Sequence, residues 1–218
     1  MDHTLLRSEA TTADVERLCA EAAELGFYAV CVYGSWLSEC VRLLRHTDAK
    51  IVSVAGFPGG ANTPRAKAAE VGQLVDLGAD EIDVVAPVGR ILMGDWGYFA
   101  EDVAEVVHAA TGRTVKIIFE TALLTPEQIV QAAEAAVAGG AAFVKTSTGF
   151  HPAGGATVDA VRLLRRAVGD RAGVKAAGGI RDRETALSMI AAGATRIGTS
   201  SGVSIVKQGA GDPRSYSS

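Results

Sequence analysis

Short apolar runs rich in Val, Ile and aromatic residues alternate with longer Ala-rich stretches of helical period along the whole chain. The runs predict strands over 27–33 (FYAVCVY), 50–55 (KIVSVA), 81–86 (EIDVVA), 115–120 (VKIIFE), 142–147 (AFVKTS), 173–177 (GVKAA) and 195–199 (TRIGT), with a stub over 2–5. Helices between them carry start signals. Thr12 precedes an acidic turn, Thr125-Pro126-Glu127 places Pro in a first turn, and Thr157 and Asp182 read as N-caps. LGAD (77–80), AGGAA (138–142) and AGAT (192–195) precede strands, where Gly closes a helix by taking positive φ.

Regular alternation of strand and helix argues for a parallel sheet with helical crossovers. Eight strands and about eight helices in 218 residues predict one compact (β/α)8 TIM barrel over 1–209, with 210–218 (AGDPRSYSS) as a flexible tail. A doubly wound open sheet is the alternative. It would more usually carry its glycine fingerprint after the first strand, where none is visible.

Composition narrows the function classes. Aromatic residues are 6% of the chain and Gly is 25 of 218, so small side chains do much of the packing. A net charge of −4 argues against a broad nucleic-acid footprint. Cys19, Cys31 and Cys40 have no metal-ligand spacing, and an odd count closes no disulfide framework, which fits a reducing cytoplasm. No apolar run reaches membrane-spanning length, and the N-terminus turns polar within a few residues, unlike a secretory signal. His3, His46, His108 and His151 have no mutual spacing that suggests a metal.

The unusual feature is charge inside strands: Asp83, Lys116, Lys145 and Lys175. In a parallel barrel the outer strand face packs on helices, so these side chains are expected to point inward. They recur at about one β/α unit, which predicts one level on four successive strands. Lys116, taken alone, also fits a lysine snorkelling from a strand end. A free lysine is only about 0.04% neutral amine at pH 7. Burial and a second cation both disfavour the ammonium. Lowering a lysine pKa by about three units costs on the order of 4 kcal/mol. A neutral buried amine attacks carbonyls to form a Schiff base, and Asp83 is the acid/base at hand. Asp83 as a mere structural partner of a lysine is the competing reading, and Glu120 is expected to pair with Lys116.

Two Gly-rich turns, AAGGIR (176–181) and GTSSGVS (198–204), each follow a strand and precede a helix. Backbone N–H groups there would hold an anion, and loops after strands seven and eight do so in many barrels. Tight-turn glycines and helix caps are the plainer reading of either turn alone. The loop TSTGFHPAGG (146–155) would face the same cavity.

At these residues the chain resembles the deoxyribose-phosphate aldolase family, class I Schiff-base aldolases, over nearly its full length. DHTLL (2–6), CVY (31–33), GFP (56–58), DEIDVV (80–85), KIIFET (116–121), VKTSTGF (144–150), VKAAGGIR (174–181) and ATRIGTSSG (194–202) carry the resemblance. It implies reversible cleavage of 2-deoxy-D-ribose 5-phosphate to glyceraldehyde 3-phosphate and acetaldehyde, in deoxynucleoside breakdown. Lys145 would form the Schiff base, Lys175 would lower its pKa, and Asp83 would move protons through a water. Gly178, Gly179, Ser200 and Ser201, with Thr148 and Gly149, would hold the phosphate. Asp2 and Lys116 would support the site, as would Tyr216 from the tail. No metal and no organic cofactor is implied, and the partners would be a small sugar phosphate and a second copy in a homodimer, with no nucleic acid or membrane.

The chain also departs from the family pattern. It starts directly before Asp2, without the usual leading helix, which predicts a shortened, fraying first strand and an open barrel bottom. Gly34 stands where many members have Pro, and Phe150 where some have a basic, phosphate-reaching residue. Two other readings stay open: another imine-forming aldolase with a different donor, and a barrel that binds a sugar phosphate without turnover.

Overall fold

A computed structural model describes residues 1–210. Eight parallel strands close into a barrel in the order β1 to β8: Asp2–Leu5, Ala29–Val32, Lys50–Ala55, Glu81–Val85, Thr114–Ile118, Phe143–Lys145, Gly173–Ala177 and Arg196–Thr199. The helices α1 to α9 span Thr12–Leu25, Leu37–Leu44, Pro64–Asp76, Val88–Leu92, Trp96–Ala109, Pro126–Ala138, Val158–Val168, Arg183–Ala191 and Gly202–Ala210. The predicted (β/α)8 barrel is therefore the fold, and the open sheet is not. Tyr216 lies outside the described residues.

Local chemistry explains most element ends. Thr125 and Gln128 form a reciprocal capping box, with Pro126 as the first residue of α6. Thr157 and Asp182 accept the Ala160 and Thr185 amides as the N-caps of α7 and α8. The first helix opens at Thr12, as its sequence signal predicts; Thr11 is the cap, and its amide donates to the Asp14 carboxylate. Helices α3, α6 and α8 are followed by Gly78, Gly140 and Gly193 at φ of 101°, 95° and 111°.

Residue alternation along each strand divides the core in two. Outward-facing Val30, Ile82, Val84, Ile117, Val144 and Val174 pack on the helices as the main apolar cluster. Inside the barrel, Ala29, Cys31, Val52 and Val54, with Leu6, make a smaller apolar cluster on the β1–β3 side. The β4–β8 side of the interior carries the buried charges Glu81, Asp83, Lys116, Lys145, Lys175 and Arg196.

Strand β1 has the short span predicted for it, Asp2–Leu5, but it does not fray. It pairs with β2 over four residues and with β8 through Asp2 and His3, and Asp2 is fully buried. The barrel bottom is also closed. Arg196, the first residue of β8, donates to Asp2 Oδ1 at 2.9 Å and to Glu81 Oε2 at 3.1 Å. Its guanidinium lies 3.7 Å from the Tyr28 ring centroid and 5.2 Å from that of Phe143. No described helix is long and apolar enough to cross a membrane.

Candidate active site

Asp83 is the hub of the interior. Its Oδ1 accepts from Lys116 Nζ at 2.7 Å, and its Oδ2 accepts from both Lys145 Nζ and Lys175 Nζ at 2.7 Å. Lys175 Nζ also donates to Asp2 Oδ2 at 2.5 Å, and Lys116 Nζ lies 2.7 Å from Glu81 Oε2. Lys145 and Lys175 thus share a single carboxylate oxygen, and both are almost fully buried. The Lys175 arm lies so close to β8 that a Cβ at Gly198 would fall 2.9 Å from Lys175 Cε. Only glycine leaves that arm its path.

The four strand charges are not on one ladder level. Lys116 is in register with Asp83 and Phe143, whereas Lys145 is in register with Ile118 and Lys175. Barrel shear offsets successive strands, and long lysine arms span the offset to reach one carboxylate. The expected Glu120–Lys116 pair does not form. Lys116 goes to Asp83 and Glu81, and Glu120 accepts the Thr148 amide instead. Glu81 and Arg196 complete the network and were not singled out from sequence. Both are charges inside predicted strands, the same signal that picked out Asp83.

The electrostatics of the cluster are asymmetric. Burial raises the Asp83 pKa, but Lys116, Lys145 and Lys175 together outweigh it and hold the carboxyl well below its usual range. Burial likewise opposes ionisation of Asp2, yet Lys175, Lys116 and Arg196 bring its pKa down to about 2. The Lys145 pKa is lowered, first by burial, against the pull of Asp83, and further by Lys175. Burial pushes Lys175 in the same direction, but Asp2 and Asp83 overcome it and raise its pKa. Of the two adjacent ammoniums, Lys145 is therefore the one that gives up its proton more readily.

Above this cluster a cavity of about 870 Å³ opens at the C-terminal ends of the strands. Lys145, Thr148, Gly149, Gly178, Gly179, Ser200 and Ser201 all line it, as does Arg181, a cation that was not singled out from sequence. Gly178 and Gly179 take φ of 90° and 80°. A Cβ at Gly155 would sit 2.3 Å from the Gly178 carbonyl oxygen, so the loop after β6 lies tightly on the Gly turn. Two of the expected anion donors are already engaged: Ser201 N–H donates to Thr199 Oγ1 at 2.9 Å, and Thr148 N–H donates to Glu120. Both residues still line the cavity. The Gly179 and Ser200 amides have no acceptor among the described residues.

Barrel and site together define a (β/α)8 protein with buried lysines at the floor of a cavity on its C-terminal face. Comparison with known proteins gives the class, an aldolase. Residues 1–209 match the family model described as DeoC/LacD family aldolase, and the chain belongs to that family. A deoxyribose-phosphate aldolase of Geobacillus sp. (strain WCH70) is 50% identical over 208 residues, 95% of this chain and 93% of the relative. One from Bdellovibrio bacteriovorus is 49% identical over 209 residues, covering 96% and 94%. Among solved structures, the tetrameric deoxyribose phosphate aldolase of Aeropyrum pernix matches at a TM-score of 0.89 and 32% identity, covering 96% of this chain and 89% of that one.

Proposed function

We propose that the protein is a class I aldolase that reversibly cleaves 2-deoxy-D-ribose 5-phosphate to D-glyceraldehyde 3-phosphate and acetaldehyde through a Schiff base on Lys145. The observation that carries this reading is the placement of the Lys145 amine. It lines the cavity, is nearly buried, and shares an Asp83 oxygen with a second lysine that stays charged. Relatives about 50% identical that bear the name deoxyribose-phosphate aldolase support the substrate.

In this reading the neutral Lys145 amine adds to the C1 aldehyde of the open-chain sugar, and loss of water gives an iminium. The C2–C3 bond breaks as its electron pair moves toward the iminium and the 3-hydroxyl gives up its proton. Glyceraldehyde 3-phosphate departs and an enamine remains. Protonation at C2 and addition of water release acetaldehyde and return the amine. Lys175 acts as the fixed cation that keeps Lys145 deprotonable.

Asp83, held ionised by three ammoniums, is a weak base at rest. It gains basicity when Lys145 gives up its charge, and that is the stage at which a water between Asp83 and substrate passes protons. Asp2 and Lys116 fix the charges of Lys175 and Asp83 from behind. The phosphate sits at the Gly178–Gly179 turn and at Ser200–Ser201, bordered by Thr148 and Gly149, with Arg181 supplying positive charge.

Incubation with deoxyribose 5-phosphate tests the proposal, with released acetaldehyde followed by coupled reduction to ethanol. Acetaldehyde release that disappears in Lys145→Ala supports it. Sugar phosphate that binds without any release overturns it in favour of a binding-only barrel.

A further inference from the structure

Glu120 follows β5 in a left-handed backbone conformation, φ 53° and ψ 59°, which residues other than Gly enter rarely. Its side chain is nearly buried. One carboxylate oxygen, Oε1, accepts the Thr148 amide, and the other, Oε2, is buried with no hydrogen-bond partner among the described residues. A desolvated carboxylate spent on a single backbone amide is costly unless that amide must be held.

The surrounding bonds show what is held. Phe119 N–H donates to the Lys145 carbonyl at 3.1 Å and Thr121 N–H to the Thr146 carbonyl at 3.0 Å. The end of β5 therefore runs beside the loop that leaves Lys145, and the left-handed turn swings the Glu120 side chain across to Thr148. On the far side, Thr146 Oγ1 and Ser147 Oγ donate to the Ala177 carbonyl at 3.1 Å and 2.5 Å. Gly149 then lies against the Gly178 turn, where a Cβ on Gly149 would be 3.3 Å from Gly178 Cα. Thr148 Oγ1 accepts the Phe150 amide at 3.1 Å, which ties the next step of the loop. Thr148 and Gly149 line the cavity, while Glu120 stands behind them.

We infer that Glu120 is a positioning residue: its carboxylate clamps the Thr148–Gly149 turn against the Gly178 turn and so sets the gap in which the anionic end of the substrate binds. The inference deepens the proposed aldolase reading and rests on it for the identity of the substrate. It concerns the anion end of the cavity and not the Lys145 amine, and this makes it separable by experiment.

The test compares Glu120→Met, which keeps the bulk but accepts no hydrogen bond at that oxygen, with Glu120→Gln, which keeps an acceptor for the Thr148 amide. Inorganic phosphate affinity is measured by titration calorimetry. KM and kcat are measured with deoxyribose 5-phosphate. Imine formation with acetaldehyde, which carries no phosphate, is measured by borohydride trapping.

Glu120→Met is expected to weaken phosphate and raise KM about tenfold, with kcat and acetaldehyde trapping within about threefold of the native protein, a split set by the loss of one hydrogen bond to a charged group. Glu120→Gln is expected to stay within about threefold on every readout. Unchanged phosphate affinity in a folded Glu120→Met variant overturns the role. So does a loss of acetaldehyde trapping in the same proportion as the loss of phosphate. If Glu120→Met does not fold, a folded Glu120→Gln protein with tenfold weaker phosphate binding also overturns it. Native protein that releases no acetaldehyde, but whose phosphate affinity still falls in Glu120→Met, breaks the aldolase reading and leaves the clamp standing.

Discussion

Two places in this molecule bury lysine against a carboxylate, and the two carboxylates are pushed in opposite directions. Lys67 on α3 and Asp102 on α5 form a closed pair behind the barrel, 2.6 Å apart, with Lys67 Nζ also donating to the Val85 carbonyl at 3.0 Å. Burial lowers the Lys67 pKa and raises that of Asp102, so each partner is pushed toward its neutral form. In the barrel interior three lysines surround Asp83, and the outcome splits: Asp83 is held firmly ionised, the Lys175 pKa is raised and the Lys145 pKa is lowered. A buried lysine is therefore not a sign of chemistry in itself. What separates the two places is an excess of cations over one carboxylate and a cavity that reaches the odd amine out. The Lys67–Asp102 pair has neither.

Substitutions can break or sharpen this contrast. Lys145→Ala should cost the most, a loss of turnover of about 10⁴-fold or more in steady-state kinetics, because among the described residues no other lysine lines the cavity. Asp83→Asn should follow, lowering kcat on the order of 10²- to 10³-fold. It should also destabilise the fold by about 3–5 kcal/mol in denaturant titration, since three ammoniums lose their common counter-charge.

Lys175→Leu should lower activity less and move the ascending limb of the pH–rate profile to higher pH. Without its cationic neighbour, and with more of Asp83 to itself, Lys145 holds its proton more tightly. An unmoved limb would remove Lys175 from that role.

Asp2 makes an acid-limb prediction. Its pKa, about 2 in the folded protein against 3.8 ordinarily, is depressed. Its stabilisation is therefore present above pH 3.8 and is lost as pH falls through the folded value. Asp2 should contribute about 2 kcal/mol of stability that disappears between roughly pH 4 and pH 2. Asp2→Asn should flatten that part of the native protein's acid-unfolding curve.

The smallest effect on turnover belongs to the double variant Lys67→Met with Asp102→Leu. Replacing a closed pair by apolar side chains should leave kcat within about twofold and stability within about 2 kcal/mol, or improve it.

Much of this was legible in the linear chain because strand residues alternate and barrels repeat at a regular interval. The spans of β3 and β7 match their apolar runs residue for residue, and Asp83, Lys145 and Lys175 stand out as charges where apolar residues belong. Other features depend on geometry that no linear pattern carries. Shear decides that Lys116 is level with Asp83 but not with Lys145. Closure of the sheet brings Arg196 of the last strand onto Asp2 of the first, 194 residues apart. Glu120 meets Thr148 and not Lys116 because a left-handed turn, unannounced by any glycine, redirects its side chain.

Among the described residues that line the cavity, Lys145 carries the amine poised to react near neutrality. Treatment of the protein with acetaldehyde and borohydride across pH 5 to 10, with the ethyl adducts located by mass spectrometry, checks this. Labelling at Lys145 is expected well below the pH at which free N-acetyl-lysine in the same tube reacts, with none at Lys67 or Lys175. Equal labelling of Lys145 and the free lysine at every pH, or a first lysine adduct on Lys175, would contradict that assignment.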